Sequence, residues 1–490
     1  MLLLSARYRP AAVLFIAPCL LAQAQDREQA EQLYRSGERA FAARQFKEAL
    51  DAWVQLLHSS PRSEYAPQVL LRLARYHVDV EHKAEAALPY LERLQADHPK
   101  SPEAADGLVL RGVLLARRAR RPADLKGAAL EFNRVLALFP DAPACAEARL
   151  HLGRAYRDQG QWGRALQQFI DAFRLQPGSA AAPQAIFEAA ETLDLLGDLP
   201  GCLRLLQRLR TDFPQSPEAG EAAWRMLVRV KHRLQKPPLR SEGSWPPGKV
   251  KWLKTPTALA VAADGDLLVF QNSLDQCYRL RGGELAPVGP AVPGTRVLLP
   301  TPAGALWSLT RNGLAREGAG PAVQPLGALG AVSGAALDRW GDLWVADAKT
   351  PALTVFAPAG DSRTVAAPAA SALVALPTGG VLIAADGDRK LLFLDAAGQI
   401  RASVAYGKDL PAAFKSVVAL ASDGAGQVAA LVEGGDFGEG VVILGPDGSL
   451  LRQATLKSLG IGGRITSLAL DHSGALILCD RRNDLLIRLN

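Results

Sequence analysis

The stretch LHLGRAYRDQGQWGRALQQFIDAFRLQPGS, residues 150–179, decides the reading of the fold. It holds two apolar faces with helical spacing, separated by a polar Gly-containing turn and closed by a proline. Counting back from Pro177, a small residue stands twelve places earlier (Ala165), a bulky one eight earlier (Phe169) and an aliphatic or small one five earlier (Ala172). Those offsets of four and three put all three side chains on one helix face. The same phrase precedes Pro61, Pro99, Pro140 and Pro214, at spacings of 38, 41, 37 and 37 residues. Its small positions are Ala49, Ala87, Ala128 and Cys202, its bulky ones Trp53, Leu91, Phe132 and Leu206, and its third Leu56, Leu94, Val135 and Leu209. A small residue admits a neighbouring helix, a bulky one fills the space behind it, and proline stops the ladder. A fixed period near 37 predicts an array of helical hairpins.

In the first unit the matching residues are Leu33, Gly37, Ala49, Trp53, Leu56 and Pro61. In the fourth they are Leu152, Gly153, Tyr156, Ala165, Phe169, Ala172 and Pro177. This pattern resembles the tetratricopeptide repeat over about residues 30–235. The extra length lies in connectors such as Pro99-Lys100-Ser101-Pro102-Glu103-Ala104 and Pro214-Gln215-Ser216-Pro217-Glu218-Ala219. It is similar to the variant in bacterial envelope proteins, notably outer-membrane-assembly and cell-division-coordinator proteins. The third unit is longer at Arg117–Lys126, and Pro217–Gln235 is expected to add a last, capping helix. The resemblance implies that the first helix of each pair lines a concave partner surface. Carried over by position, the lining candidates are Tyr34, Glu38, Phe41, Tyr76, Asp79, Arg154, Arg157, Phe187, Glu191 and Asp194. Such an aromatic and charged mixture suits a peptide or helix partner, although exposed helix charges also simply solvate a surface.

The second half changes character. Beyond Pro237-Pro238 and the Gly/Ser/Pro-rich stretch to Gly248, an apolar run, a Gly turn and two further apolar runs recur. The turn glycines are Gly265, Gly304, Gly341, Gly380, Gly426 and Gly474. Units of about 40 residues with several strands each point to propeller blades. The unit Asp338–Asp347 resembles the NHL-type repeat, which implies a six-bladed β-propeller over about residues 250–490. The last unit lacks a fourth run, so Gly248–Leu253 is expected to complete it and remove two exposed sheet edges. The domain reading is a leader at 1–25, a tetratricopeptide-repeat α-solenoid at 26–236, a linker at 237–248 and the propeller at 249–490.

The leader reading rests on Arg7 and Arg9, the apolar run AAVLFIAPCLL at 11–21, and Ala22-Gln23-Ala24 before a polar segment. Eleven apolar residues interrupted by Pro18 are too few for a membrane span. Pro18 also argues against lipid attachment at Cys19, because a lipoprotein signal places a small residue there. The expectation is an exported protein, periplasmic or secreted and peripheral to the outer membrane, with no transmembrane segment in its mature chain.

The formal charge of +7 in 490 residues invites a nucleic-acid reading, so its location matters. Residues 26–240 hold 32 Lys and Arg against 27 Asp and Glu, whereas 241–490 hold 22 of each. The mature surplus therefore belongs to the helical half. Its densest cluster is Arg117, Arg118, Arg120 and Arg121. Cations near a helix C-terminus complement the macrodipole without any partner. Anionic lipid, cell-wall polymer or an acidic protein are the alternatives, and export excludes nucleic acid.

Chemistry-bearing motifs are sparse. Cys145, Cys202, Cys277 and Cys479 form no C-x-x-C pair and read as small core residues. Only His472 of seven histidines falls in the propeller. Asp347, Asp386 and Asp480 occupy equivalent blade positions and read as turn or packing residues rather than ligands. No phosphate loop, dinucleotide fingerprint, Gly-x-Ser-x-Gly or His-Glu-x-x-His occurs. The expectation is a non-catalytic, cofactor-free and metal-free envelope scaffold that binds other envelope proteins or peptides. The alternative is a propeller lyase or hydrolase, or a small-ligand-binding propeller recruited by its helical half.

Overall fold

The computed structural model describes the chain except for 1–12, 120, 246–252, 263, 291–292, 302–305, 311–312, 317–322, 325–331, 339, 358–361, 378, 411–413, 424 and 472. The described residues form two compact units, within 1–155 and 171–182, and within 156–170 and 183–490. Among the described residues the eleven α-helices are α1 (Val13–Ala42), α2 (Phe46–Ser59), α3 (Ala66–Asp79), α4 (Ala84–Asp97), α5 (Pro102–Arg118), α6 (Leu125–Leu138), α7 (Ala144–Asp158), α8 (Trp162–Leu175), α9 (Ala182–Leu195), α10 (Leu199–Asp212) and α11 (Pro217–Arg229). A six-residue π-helical turn, Val230–Gln235, follows α11. Among the described residues, no helix is long and apolar enough to cross a membrane.

In the first unit, α1 packs on α2, α3 on α4 and α5 on α6, while α2 meets α3 and α4 meets α5. Each hairpin closes on the side chains that the periodicity selects. All fifteen small, bulky and third-position residues, from Ala49, Trp53 and Leu56 to Cys202, Leu206 and Leu209, are fully buried. The glycines of the first helices make room for them. A Cβ on Gly37 would lie 2.3 Å from Trp53 Nε1, and one on Gly112 2.5 Å from the Phe132 ring. The connectors work as caps. Ser101 Oγ and Ser216 Oγ accept from the N–H groups of Ala104 and Ala219 at 3.2 Å, with proline at the first helical position. At the other end, His98, Phe139 and Phe213 leave the helical region at φ near −132° before their prolines. The long third connector contains a 3₁₀ turn, Pro122–Asp124.

The propeller consists of six four-stranded antiparallel sheets among the described residues. The innermost strands are Pro256–Val261, Val297–Pro300, Val332–Leu337, Ala372–Leu376, Ser416–Ser422 and Ile465–Leu470 for blades one to six. Each contacts the next, and the sixth contacts the first, so the ring closes. Second strands such as Leu267–Gln271, Leu343–Asp347 and Leu476–Asp480 are buried throughout. They lie between neighbouring blades, which is why they read as continuous apolar runs. Gly265, Gly341, Gly426 and Gly474 sit in the turns at φ between 73° and 88°, a region that favours glycine.

Three expectations need correction or placement. The strand completing blade six is Ser241–Trp245, paired with Leu485–Leu489, and not Gly248–Leu253. It falls inside the stretch read as linker and is mostly exposed, so it lacks the apolar alternation that marks a strand. Residues 246–252 lie outside the described residues, and Leu253 is fully buried in the core between blades six and one. In blade four the turn glycine is Gly379, at φ 89°, while Gly380 begins the second strand. Gly304 lies outside the described residues, as do residues 1–12 of the expected leader. From Val13 the chain is one helix through to Ala42.

Candidate functional site

The candidate partner residues divide into two physical classes. In the first unit Tyr34 stacks on Tyr65 with ring centroids 5.0 Å apart, and Phe41 packs against Phe46 and Trp53. Tyr76 is buried beside Phe46, and Asp79 is exposed. Glu38 of α1 pairs with Arg72 of α3 at 2.9 Å, and Arg75 of α3 with Asp106 of α5 at 3.7 Å. Arg72 and Arg75 are 44% and 47% exposed, so these links between first helices are weak and open to competition. Burial, with Glu38 beside it, raises the Tyr34 pKa, and burial among Glu147 and Glu103 raises that of Asp106 against the pull of Arg75. Arg154 lies half-buried on α7.

In the second unit the candidates are engaged within the chain. Arg157 is half-buried and pairs with Asp158 at 3.1 Å and with Glu188. Phe187 lies under the Arg225 guanidinium, 5.3 Å from its centroid. Glu191 accepts from Arg225 at 2.7 Å and from Arg229 with both oxygens at 2.9 Å. Asp194 accepts from Arg229 Nε at 2.8 Å and from Arg233. Arg229 and Asp194 are each 2% exposed. Burial pulls the Arg229 pKa down, but Glu191 and Asp194 more than reverse this, and it stays charged. The sequence signal for this cluster is a stripe of three cations spaced four apart, Arg225, Arg229 and Arg233, opposite Glu191 and Asp194 three apart.

The same cap meets the propeller inside the second unit. His232 is fully buried, and its Nε2 donates to the Ser473 carbonyl of blade six at 3.1 Å. That carbonyl fixes the proton on Nε2 and leaves Nδ1 buried without a partner among the described residues. Burial, then Arg452, pushes the His232 pKa down to about 4. A Cβ on Gly474 would come within 2.9 Å of His232 Cδ2, and one on Gly426 would touch Leu195. The end of α9 and the cap therefore rest on the turns of blades five and six respectively.

Several aspartates of the propeller turns anchor the backbone. Asp338, Asp423 and Asp471 each accept from the N–H groups two and four residues on, at 2.8–3.0 Å. Asp347 accepts from Lys349 N, Asp386 from Tyr406 Oη and Val417 N, and Asp480 from Arg464, Arg482 and Asn483. No cluster of His, Cys, Asp or Glu suited to a metal occurs among the described residues. Cys145, Cys202, Cys277 and Cys479 are buried free thiols. Burial raises Cys202 and Cys479 to a pKa of about 12, so neither supplies a thiolate near neutral pH.

Of the basic cluster, Arg117 and Arg118 end α5, and Arg118 pairs with Glu85 of α4. Arg121 N donates to Asp124 Oδ2 at 2.9 Å, and Arg120 lies outside the described residues. The placement of the first two at a helix C-terminus suits the macrodipole reading.

The inner strands enclose a central channel of about 260 Å³. It opens into a cavity of about 600 Å³ lined by Thr257, Asn272, Thr295, Arg296, Thr466 and Arg481 among others. Sequence reasoning missed this cavity because its residues come from three blades and form no local motif.

Residues 26–169 match a family described as "YfiO: Outer membrane lipoprotein". No curated protein matches the sequence. Among solved structures, the chain is similar to a virginiamycin B lyase from Staphylococcus aureus, at 12% identity over 48% of this chain and 80% of that one, TM-score 0.35. It is also similar to a gluconolactonase from Xanthomonas campestris, at 14% identity over 49% and 86%, TM-score 0.37. A tetratricopeptide repeat protein from Parabacteroides merdae matches at 16% identity over 42% and 74%, TM-score 0.33. Likenesses this distant carry no argument about activity.

Proposed function

We propose that this protein is an exported, non-catalytic scaffold of the bacterial cell envelope, which holds a protein or peptide partner on its first helical repeats. The observation that carries the reading is the helical-repeat array whose residues 26–169 match an outer-membrane lipoprotein family. The first-unit stripe of Tyr34, Glu38, Arg72, Arg75, Asp79 and Asp106 supports it. Exposed ion pairs contribute about 0–1 kcal/mol, so a partner's charges can replace them at little cost. Phe187, Glu191 and Asp194 are assigned to internal structure instead. The propeller, NHL-like in its repeat, offers a second docking face. The leader at 1–25 directs export, and the mature chain stays peripheral to the membrane. Arg117, Arg118 and Arg121 are available to anionic lipid or cell-wall polymer.

A photo-crosslinking amino acid at Asp79, in the full chain in its native host, tests this reading. The expected result is one discrete adduct in the envelope fraction, absent when the probe replaces exposed Leu130 on α6. Equal labelling at both positions, or a chain confined to the cytoplasm, refutes it.

A further inference from the structure

Four of the six inner strands carry a β-bulge at the same place. The register skips Thr257 in blade one, Ser333 in blade three, Val418 in blade five and Thr466 in blade six. A bulge leaves its extra residue outside the ladder and re-aims its side chain, and bulges gather beside binding sites. Here all four line the central channel. Two of them, Thr257 and Thr466, also line the wider cavity at its mouth.

That cavity occupies one sector of the ring. Arg481 and Thr466 come from blade six, Thr257 and Asn272 from blade one, and Thr295 and Arg296 from the start of blade two. The cations therefore flank the sector and the hydroxyl and amide groups fill its centre. Both arginines are backbone-pinned, Arg296 N donating to Leu309 O at 2.8 Å and Arg481 N to Arg464 O at 3.0 Å. Their guanidiniums remain largely unspent. Arg296 Nη1 donates to the Val332 carbonyl at 3.3 Å, and Arg481 makes no side-chain hydrogen bond or ion pair among the described residues. No carboxylate is among the described residues lining this cavity; Glu433 and Glu439 line a neighbouring pocket between blades five and six that shares Thr466 with it. Thr257 Oγ1 is buried there with no hydrogen-bond partner among the described residues, an arrangement that costs stability unless something else satisfies it.

We propose that the mouth of the propeller is a binding site for a small polyhydroxylated anion, a sugar acid. Two guanidiniums without an ion-pair partner among the described residues select a carboxylate or phosphate. The hydroxyls and the amide match a ligand rich in hydroxyl groups, and among the described residues no aromatic side chain lines the cavity to stack a base or ring. A volume of about 600 Å³ lies within the range of small-ligand pockets.

Calorimetric titration of the full-length chain with D-glucuronate, D-glucose 6-phosphate and D-glucose tests the proposal. Binding of either anion at least about tenfold tighter than glucose supports it, and which anion wins identifies carboxylate or phosphate as the charged group. Arg481→Gln and Arg296→Gln should each weaken that binding about tenfold or more, the loss expected for a charge-assisted hydrogen bond. Both side chains are exposed, so folding should survive, as an unchanged melting curve will report. Thr257→Val should weaken binding without lowering stability, because its hydroxyl has no partner to lose. The proposal is overturned if neither anion binds up to about 10 mM, if glucose binds equally, or if the arginine variants leave affinity unchanged.

Discussion

The contact of α9 and the cap with blades five and six predicts an unusual pH dependence, because a buried histidine and a half-buried aspartate there titrate in opposite senses. His232 has a folded pKa of about 4, pushed down by burial and by Arg452 and Lys231, with Asp471 and the Ser473 carbonyl opposing. An unfolded histidine sits near 6.5. Between about pH 4 and 6.5 the unfolded state binds this proton and the folded state does not. His232 therefore makes stability rise with pH by about 1.4 kcal/mol per unit, about 3 kcal/mol across the window. Asp423, in the blade-five turn, is pushed up to about 6 by burial, against the Gln427 and Ala425 N–H groups and Arg229, with Asp194 adding to the rise. Its unfolded pKa is near 3.9. Between about pH 4 and 6 the folded state holds a proton that the unfolded state has lost. Asp423 therefore makes stability fall with pH by a similar slope, up to about 3 kcal/mol in total.

The two slopes cancel from about pH 4 to 6, and single variants should unmask them. His232→Gln keeps a donor for the Ser473 carbonyl and removes the titration. Relative to the parent chain, its urea midpoint should move downward as pH rises from 4 to 6. Asp423→Asn keeps an acceptor for the turn N–H groups, and its midpoint should move upward over the same range. Differences against the parent cancel all other titrating groups. Parallel pH profiles for parent and both variants, within about 0.5 kcal/mol, would refute the reasoning.

Arg229→Met should destabilise the second unit by about 3 kcal/mol, the cost of stranding buried Asp194 and Glu191, with Arg229→Lys intermediate; urea unfolding measures both, and a neutral Met variant contradicts the buried-cluster account. Deleting Ser241–Trp245 leaves Leu485–Leu489 as an open edge, so the propeller transition should shift down and aggregation rise in light scattering. An unchanged melt of that deletion assigns closure elsewhere. Gly112→Ala should cost about 1–3 kcal/mol, because its Cβ would press on Phe132 inside the α5–α6 hairpin, whereas Gly163→Ala, with open space around it, should be near neutral in the same thermal melts. Mass spectrometry of the exported chain should find a new N-terminus near Gln25, and a chain starting at lipid-modified Cys19 would displace the leader reading.

How much of this was legible in the sequence depends on whether a feature has a period. The helical core did, and the Ala49, Trp53, Leu56 pattern names buried residues in all five hairpins. The buried second strands of the propeller were legible for the same reason. The closing strand was not. Ser241–Trp245 is exposed and pairs at the rim, so nothing in its side chains marks it, whereas Val250-Lys251-Trp252-Leu253 alternates as a strand would. The Gly379-Gly380 pair left the turn position ambiguous by one residue, and only the backbone angle resolves it. The propeller mouth was invisible because Thr257, Arg296 and Arg481 meet only when the ring closes. Its bulged threonines look like ordinary strand residues until the register is known.

The charge surplus of the helical half acquires a division of labour from this geometry. An ion pair can serve recognition only if breaking it is cheap. Glu38–Arg72 and Arg75–Asp106 meet that condition, since water already screens them. The cluster of Arg225, Arg229 and Arg233 with Glu191 and Asp194 does not. Removing its central cation leaves carboxylates in a dry site, and a partner that extracted Asp194 would also have to strip Arg229 and Arg233. Residues at equivalent repeat positions thus do opposite work: early in the array they remain exchangeable, and in the last repeat they lock the cap helix that also carries His232 onto blade six. A repeat pattern predicts position on a helix face. Burial decides whether a charge at that position is available to a partner.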